Sequence, residues 1–460
     1  MGKSFSNRLF STFFPLFLPL FFSGCANGFW GVTGDTHPRD GVKETSVASG
    51  TSAYAEDPHD TVSNPQTKIL ASTPHLKEGI LAQLIDLKNP EEFLPLSCCS
   101  RSGGGRFEAK AVSRGREESK VRADLAYRDA VLSEDTRWRG LVIVEGGVTV
   151  APQATLTVES GTVVRFRGSS GENSRSSLMV LGRLVIKGTV ERPVRFSSIY
   201  TENCESDWQG IVLTGSEKNN LMENCRVEGA VNGIDASFSN LTLKNVRCAR
   251  CRTGARLQDV LTLIEGFEAG ECGAGMILYN SEADVRSASF FGNRLGLFAS
   301  RTSLSLKDAR FSGNNLSGLV AEKCRIDINY NSFLANGTGL SLVASEGTLS
   351  SNRISGNAFY GVLLKLSRVK VKGNNIEGNG KAGLRTEDGQ GVAWGNAIFA
   401  NGEYDLYNGG TEEFRAVGNW WGEGRTNTAV ARIYDRNIDG GRGRVIFFPP
   451  LKKRPDLLVP

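Results

Sequence analysis

The chain has 460 residues, 54 of them basic and 49 acidic, so its formal net charge at neutral pH is only +5. A charge this small on a chain this long, with no basic stripe of interleaved aromatic residues, excludes nucleic acid as a predicted partner. The three histidines, His37, His59 and His75, all precede the regular part of the sequence. That part therefore has no imidazole for a catalytic triad, a proton shuttle or a histidine metal site.

The N-terminus predicts an exported protein. Lys3 and Arg8 precede an apolar run from Leu9 to Phe22, which is too short to span a bilayer and typical of a signal-peptide core. The run ends in Phe-Ser-Gly-Cys25, which resembles a bacterial lipoprotein processing box. That resemblance implies a signal peptide over residues 1–25, a lipid anchor on Cys25, and an outer-membrane or cell-surface location. The alternative is an ordinary secretory signal with an incidental cysteine.

Two segments follow the signal. Residues 26–75 are rich in Gly, Ser, Thr, Asp and Pro and predict a disordered, flexible tether. Residues 76–137 predict a linker with short capping helices. The first candidate helix, His75 to Leu96, has apolar residues at 76, 80, 81, 84, 85 and 87, and the second runs from Glu117 to Leu132. A solenoid needs its open N-terminal coil covered, so capping is one interpretation of both helices and a solvated surface helix is the other.

A repeat of 21 or 22 residues dominates the second half of the chain. Its marker is a glycine followed by an aliphatic or small residue, at Gly233, Gly254, Gly275, Gly296, Gly318, Gly339, Gly361 and Gly383, and Asp405-Leu406 continues the series. A repeat this short indicates a solenoid.

Other positions keep the same period. Asparagines recur at 293, 314, 336, 357, 379 and 401, and three residues before each of them stands Phe or Ile. Alternating apolar pairs, such as Leu304/Leu306 and Ile326/Ile328, add another short segment with a period of two. Each repeat therefore predicts three short strands separated by turns, which leaves no room for a helix. We predict an all-β fold, a single-stranded parallel β-helix, in which the asparagines form hydrogen-bonded ladders at a bend.

The sequence resembles the right-handed parallel β-helix proteins of the pectate-lyase-like superfamily over residues 138–452. Segments such as Trp138-Arg-Gly and Trp208-Gln-Gly-Ile look like opening coils, and Asn419-Trp-Trp-Gly with Val445-Ile-Phe-Phe-Pro-Pro-Leu is similar to a closing segment. The resemblance implies the fold. It does not imply one activity, because members include lyases, hydrolases and proteins without known activity.

Eight cysteines remain besides Cys25, namely Cys98, Cys99, Cys204, Cys225, Cys248, Cys251, Cys272 and Cys324. Cys251 and Cys272 stand three residues before their marker glycines, so they are expected to stack on adjacent coils. Stacked free thiols that replace two asparagines of the ladder are the favoured interpretation, and a strained disulfide is the alternative. A redox role for Cys248-x-x-Cys251 and a three-thiolate metal site are less favoured.

Two functions remain open. In the superfamily, lyases resemble one another in calcium-binding acids beside a basic residue, and hydrolases in clustered aspartates. The candidate residues here form no obvious cluster in the sequence: Asp235, Asp284, Asp308, Asp327, Glu346, Glu387 and Asp388, with Arg301, Arg325, Arg368 and Arg385. We therefore assign no catalytic residue, no metal site, no cofactor and no binding residue. The favoured function is a non-catalytic, lipid-anchored scaffold that binds a glycan or an envelope protein. The alternative is a polysaccharide lyase or hydrolase, with calcium as cofactor under the lyase alternative only.

Overall fold

The computed structural model describes residue 118 and residues 122–167, 175–200, 204–216, 218–423, 432–456 and 459–460. The predicted signal peptide with Cys25, the tether and the candidate helix from His75 to Leu96 lie outside the described residues. The described chain is a parallel β-solenoid in which each coil contributes one strand to each of three long sheets. Within the described residues, no helix is long and apolar enough to cross a bilayer.

Sheet I contains the strands that carry the marker glycines. Its regular strands are Ser177–Val180, Gly210–Thr214, Asn232–Ser237, Thr253–Gln258, Ala274–Tyr279, Leu295–Ser300, Ser317–Glu322, Thr338–Val343, Tyr360–Lys365, Ala382–Glu387, Tyr404–Asn408 and Ile433–Tyr434.

Sheet II follows sheet I in every coil. Its strands are Thr136–Trp138, Thr155–Glu159, Arg183–Lys187, the first half of Asn220–Glu228, the first half of Asn240–Ala249, Leu261–Glu265, Glu282–Arg286, Ser303–Lys307, Arg325–Asn329, Glu346–Ser350, Arg368–Lys372, Val392–Trp394, Phe414–Arg415 and Val445–Ile446.

Sheet III closes each coil. It contains Val163–Arg167, Val194–Ser198, the second halves of the two long strands Asn220–Glu228 and Asn240–Ala249, and then Glu268–Gly270, Ser289–Phe291, Arg310–Ser312, Ser332–Leu334, Arg353–Ser355, Asn375–Glu377 and Ala397–Phe399. The strands Leu125–Leu132 and Leu141–Val150 each run from sheet III into sheet I. They are therefore the first two strands of both sheets.

The interior is built from columns of like side chains, as predicted. Phe290, Phe311 and Phe333 stack on successive coils with centroid separations of 4.8 and 4.7 Å and nearly parallel rings. The paired positions Leu304/Leu306 and Ile326/Ile328 are almost completely buried in the same core. Because each fully buried side chain of this size contributes roughly 1.5–3 kcal/mol, these columns are the main source of stability.

The backbone turns each corner through a residue with positive φ, and an inward polar residue often follows. At the corner from sheet III to sheet I, the Asn293 amide donates to Asn314 Oδ1 at 3.0 Å and the Asn314 amide donates to Asn336 Oδ1 at 2.8 Å. The ladder continues to Asn401, and Asn293 accepts at 2.9 Å from the backbone N–H of Cys272. The predicted asparagine ladder is therefore confirmed, and Cys272 stands in line with it.

The structure contains two further ladders that we did not predict from the sequence. Asparagines at the corner from sheet II to sheet III are linked by amide hydrogen bonds of 2.8–3.0 Å in the series Asn331, Asn352, Asn374, Asn396 and Asn419. At the corner from sheet I to sheet II, hydroxyls such as those of Ser345 and Ser367 accept from the backbone of the preceding coil. At all three corners, side chains thus provide hydrogen-bond partners for buried backbone groups.

The marker glycines are required by close approach of neighbouring coils. A Cβ added to Gly296 would lie 2.3 Å from the carbonyl oxygen of Gly318, and one added to Gly318 would lie 2.6 Å from that of Gly339. Both separations are far below van der Waals contact, so a larger residue would push the strands of sheet I apart.

The prediction of a helix from Glu117 to Leu132 was wrong. Leu125–Leu132 is a strand, paired in parallel with Leu141–Val150, and the solenoid therefore begins before Trp138. Leu125, Tyr127 and Leu132 pack on the core, and the Tyr127 ring lies 5.5 Å from that of Trp138. The apolar residues Val121, Leu125 and Ala126 have helical spacing, but this segment forms a strand because it pairs with the neighbouring coil. Strand pairing buries alternate residues instead of one side of a helix.

Candidate functional site

A charged groove runs along the corner between sheets I and II. Its volume is about 770 Å³, and a second hollow of about 470 Å³ adjoins it on the outer surface of sheet II. Four of the lining residues, Ser303, Arg325, Glu346 and Arg368, belong to both hollows. We call the two hollows, with the outer surface of sheet II beside them, the cationic groove. The charged residues that line the hollows are five cations and four carboxylates, namely Arg301, Lys323, Arg325, Arg368 and Lys370 with Asp327, Glu346, Asp388 and Glu412.

Strand geometry explains why these side chains meet. Alternate residues of a strand point outward, and parallel pairing in register places equivalent residues of successive coils about 4.8 Å apart. Arg325 pairs with Glu346, and Glu346 pairs with Arg368, so a carboxylate lies between two guanidinium groups. The Arg325 Nη2 atom is 3.5 Å from Glu346 Oε1. Both side chains are largely exposed, so this ion pair contributes little to stability.

The outer surface of sheet II is cationic beside the groove. On the four strands from Ser303–Lys307 to Arg368–Lys372 the outward cations are Lys307, Arg325, Arg368, Lys370 and Lys372, and the outward carboxylates are Asp327 and Glu346. Five positive and two negative charges leave a net charge of +3 on this surface. It attracts anions through Arg groups that can bind a carboxylate or sulfate in bidentate fashion.

Apolar and aromatic groups accompany the charges. Gly347 has a φ of 135°, and a Cβ there would lie 1.9 Å from the Ile326 carbonyl oxygen, so no side chain fills this position. Gly347 and Ile326, whose side chain belongs to the core, both line the smaller hollow. Lys307 lies over the ring of Tyr330 at 5.5 Å, and Trp394 is 40% exposed at the edge of the same surface. Aromatic rings with one exposed face are suited to contact with the apolar face of a sugar.

The groove brings together six of the candidates that form no obvious cluster in the sequence, namely Arg301, Arg325, Asp327, Glu346, Arg368 and Asp388. The sequence contained the signal, because Arg325, Glu346 and Arg368 each stand seven residues after a marker glycine. Equal offsets become one column when the coils stack in register.

The other candidates lie elsewhere and are engaged locally. Asp235 contacts Arg256 at 3.3 Å, Asp284 contacts Arg286, and Glu387 contacts Arg385 at 2.6 Å. Asp308 occupies a corner with positive φ. Asp284 and Asp327 are separated by Ser305, as predicted from the spacing of the repeats.

The two acids of sheet II in the groove, Asp327 and Glu346, stand on adjacent coils in different outward columns. Asp327 is flanked by Ser305 and Thr348 in its column, and Glu346 by two arginines. General acid–base cleavage of a glycosidic bond needs two carboxyl groups about 5–9.5 Å apart on either side of one bond. Among the residues that the structure describes, no group of three or more His, Cys, Asp or Glu side chains could hold a metal ion.

The cysteines of the solenoid are interior residues. All six are buried, and five of them have free thiols, namely Cys225, Cys248, Cys251, Cys272 and Cys324; the sixth is Cys204. Burial raises the pKa of the Cys225 thiol to about 12, and burial is also the main reason why the pKa of Cys248 is raised. Protonated, buried thiols are neither good nucleophiles nor good metal ligands. The favoured interpretation, stacked free thiols, is the one that the structure shows.

Among solved structures, a mutant of the periplasmic alginate epimerase AlgG is 12% identical, with a TM-score of 0.39, over 68% of this chain and 74% of the other. The A-module of the Azotobacter vinelandii mannuronan C-5 epimerase AlgE6 is 16% identical, with a TM-score of 0.35, over 68% and 91% of the two chains. At these low identities and TM-scores, the similarity carries no argument about activity. No curated protein matches the chain significantly.

Two sequence families match directly. The pectate-lyase like beta helix domain matches residues 129–238. The right handed beta helix region matches residues 184–347 and 270–420, which together are more than half of the chain. With the parallel coils and stacked columns described above, this match shows that the chain belongs to the right handed beta helix family.

Proposed function

We propose that the protein is a non-catalytic β-helix that binds an acidic polysaccharide in the cationic groove. The observation that carries this proposal is the excess of outward cations on sheet II beside the groove, where Arg325 lies two coils from Arg368 and Lys370. An extended polyanion can lie along this surface because its five outward cations outnumber its two carboxylates, one of which, Glu346, stands between the two arginines. Ser303, Ser305 and Thr348 supply hydroxyls for hydrogen bonds to sugar hydroxyl groups.

The proposal includes export and anchoring to a membrane through a lipid on Cys25. It is supported by the signal-like N-terminus and the processing box. A tether between residues 26 and 75 would keep the groove away from the lipid surface. Detergent-phase partition of the processed protein tests the anchor, because it should be lost when Cys25 is replaced by Ser.

Binding can be measured with the soluble Cys25→Ser form and polygalacturonate, with dextran as a neutral control. We expect retardation in affinity electrophoresis by polygalacturonate alone, which weakens as salt is raised because the charges are exposed. The double variant Arg368→Gln/Lys370→Gln should bind at least about tenfold more weakly, equivalent to about 1.4 kcal/mol. Arg353→Gln, which removes an exposed cation from sheet III, is the matched control and should bind normally.

Two outcomes would contradict the proposal. Equal retardation of the double variant and the unchanged protein would place the binding elsewhere. A calcium-dependent rise in ultraviolet absorbance from unsaturated product ends, lost in a Glu346→Gln or Asp327→Asn variant, would show that the protein is a lyase.

A further inference from the structure

A second surface, on the outside of sheet I, is apolar and buried. We call it the apolar face; its residues are Ala274, Ile277, Leu295, Phe298, Val320 and Leu363. Ile277 lies between Met276 and Leu278, which both belong to the interior core. Strand alternation therefore points Ile277 away from the solenoid axis. Parallel register places Phe298 and Val320 in the same outward column as Ile277.

These outward side chains have lost their contact with solvent. Ile277 is 0% exposed, Phe298 2% and Val320 5%, whereas the outward leucines Leu261 and Leu263 of sheet II are 59% and 40% exposed. A single-layer sheet covers only one of its two faces, the one directed at the core. Burial of the opposite face therefore requires a second layer on it.

Buried hydroxyls show the chemical character of that second layer. The side-chain oxygens of Thr253, Thr338 and Ser341 are buried without a hydrogen-bond partner. Ser341 stands between Val320 and Leu363 in the outward column. An open sheet would leave these hydroxyls exposed to water, and a polar cover would form hydrogen bonds with them. Because the hydroxyls are neither exposed nor hydrogen-bonded, the cover is inferred to be apolar.

The C-terminal segment of the chain does not provide this cover, because it lies on sheet III. The Arg454 guanidinium lies over the rings of Phe399 and Trp420, at 5.0 and 5.7 Å, and donates to Asn375 Oδ1 at 3.2 Å. The candidate helix from His75 to Leu96 precedes the first strand of the solenoid, Leu125–Leu132, by 28 residues of chain.

The candidate helix has the pattern, length and charge that the apolar face requires. Its apolar residues at 76, 80, 81, 84, 85 and 87 form one wide stripe at helical spacing. From His75 to Lys88 it would be about 21 Å long, and the five coils from Ala274 to Leu363 extend over about 19 Å. Residues 75–96 carry four acidic and two basic side chains, while Arg252, Arg294 and Lys381 stand beside the face. Desolvation lowers the pKa of Arg294, as expected beside a covered surface.

We propose that the segment His75–Leu96 docks as an amphipathic helix along the apolar face of sheet I. This role is different from capping the first coil, and it does not involve the cationic groove. It also gives the tether a fixed end, because the chain between the lipid and the solenoid would be held at the side of the stack.

Thiol labelling of the full-length chain tests the proposal. In a soluble form with Cys25, Cys98 and Cys99 replaced by Ser, Phe298→Cys introduces one reporter on the apolar face and Ser305→Cys introduces one on the exposed surface of sheet II. We expect a maleimide to label position 298 at least tenfold more slowly than position 305. Adding Ile80→Asp/Leu84→Asp, which charges the apolar stripe, should remove this protection. The matched pair Gly79→Asp/Ala82→Asp, on the opposite side of the helix, should keep it.

Labelling of position 298 as fast as position 305 in the parent would overturn the proposal, and so would protection that survives Ile80→Asp/Leu84→Asp. Protection that is lost on dilution, together with a dimer in light scattering, would assign the cover to a second copy and overturn it as well. Val320→Cys provides a second reporter, and an unchanged melting temperature verifies that each reporter variant is folded.

Discussion

The buried side-chain amide of Asn314 forms hydrogen bonds with both neighbouring coils. Its side chain donates to the carbonyl oxygen of Phe290 at 3.0 Å and to Asn336 Oδ1 at 2.8 Å, and its own Oδ1 accepts from the backbone and side chain of Asn293. Each bond is worth roughly 0.5–1.5 kcal/mol, and a buried group left without its partner costs roughly 1–3 kcal/mol. Loss of the amide therefore affects two neighbouring coils at once.

We expect Asn314→Ala to lower the free energy of unfolding by about 2–4 kcal/mol, since it removes these bonds and leaves buried donors unpaired. Asn315→Ala is the natural control, because Asn315 is the next residue and is exposed. Urea unfolding followed by circular dichroism measures both. Equal midpoints for the two variants would show that the ladder contributes nothing to stability.

At the scale of a strand, alternation decides which substitutions the fold tolerates. Leu319, on the strand Ser317–Glu322, points into the core of the solenoid and is 0% exposed. Leu261 points outward from its strand and is 59% exposed. The same amino acid therefore has opposite roles at two positions that differ only in the direction of the side chain.

Leu319→Asp should destabilise the protein by more than about 4 kcal/mol, because an unpaired charge would be placed among stacked apolar side chains. Leu261→Asp should change the stability by less than about 0.5 kcal/mol. Thermal unfolding monitored in the far ultraviolet distinguishes the two. A Leu319→Asp protein with an unchanged transition would refute the assignment of the interior columns.

The sequence was sufficient to predict strands wherever the repeat was regular. It was insufficient where the secondary structure or the site depends on contacts between segments that are distant in the sequence. The column of Phe290, Phe311 and Phe333 could be predicted, because equal spacing determines which residues stack. The strand Leu125–Leu132 could not, because its pairing with Leu141–Val150 depends on a neighbour and not on its own pattern. The cationic groove is an intermediate case, since its columns are visible as offsets but its depth depends on the corner between two sheets.

At the scale of the whole molecule, each coil contacts mainly the coils before and after it, so stability is expected to be a sum over neighbours. A complete coil should therefore be removable. Deletion of residues 233–253 joins Asn232 to Gly254 and preserves the register of all three sheets, because Asn232 and Thr253 are equivalent positions.

We expect this 21-residue deletion to give a folded protein with strand-type circular dichroism and one cooperative transition. Deletion of residues 233–243 removes about half a coil and would direct interior side chains outward, so that protein should aggregate or remain unfolded. Size-exclusion chromatography separates these results. A folded half-coil variant, or an unfolded whole-coil variant, would contradict the repeat architecture.

The asparagine amides give the solenoid a polarity along its axis. Each amide nitrogen in the ladder donates one hydrogen bond to the asparagine oxygen of the next coil and another to a backbone carbonyl oxygen, and the last one, of Asn401, donates to the carboxylate of Asp405 at 2.9 Å. Aligned dipoles add, as they do in an α-helix, and their positive end here meets a carboxylate that also contacts Arg432 at 2.9 Å. The ladder therefore ends on a charged pair within the chain instead of on a further asparagine, so its last amide has a hydrogen-bond acceptor where the repeat stops.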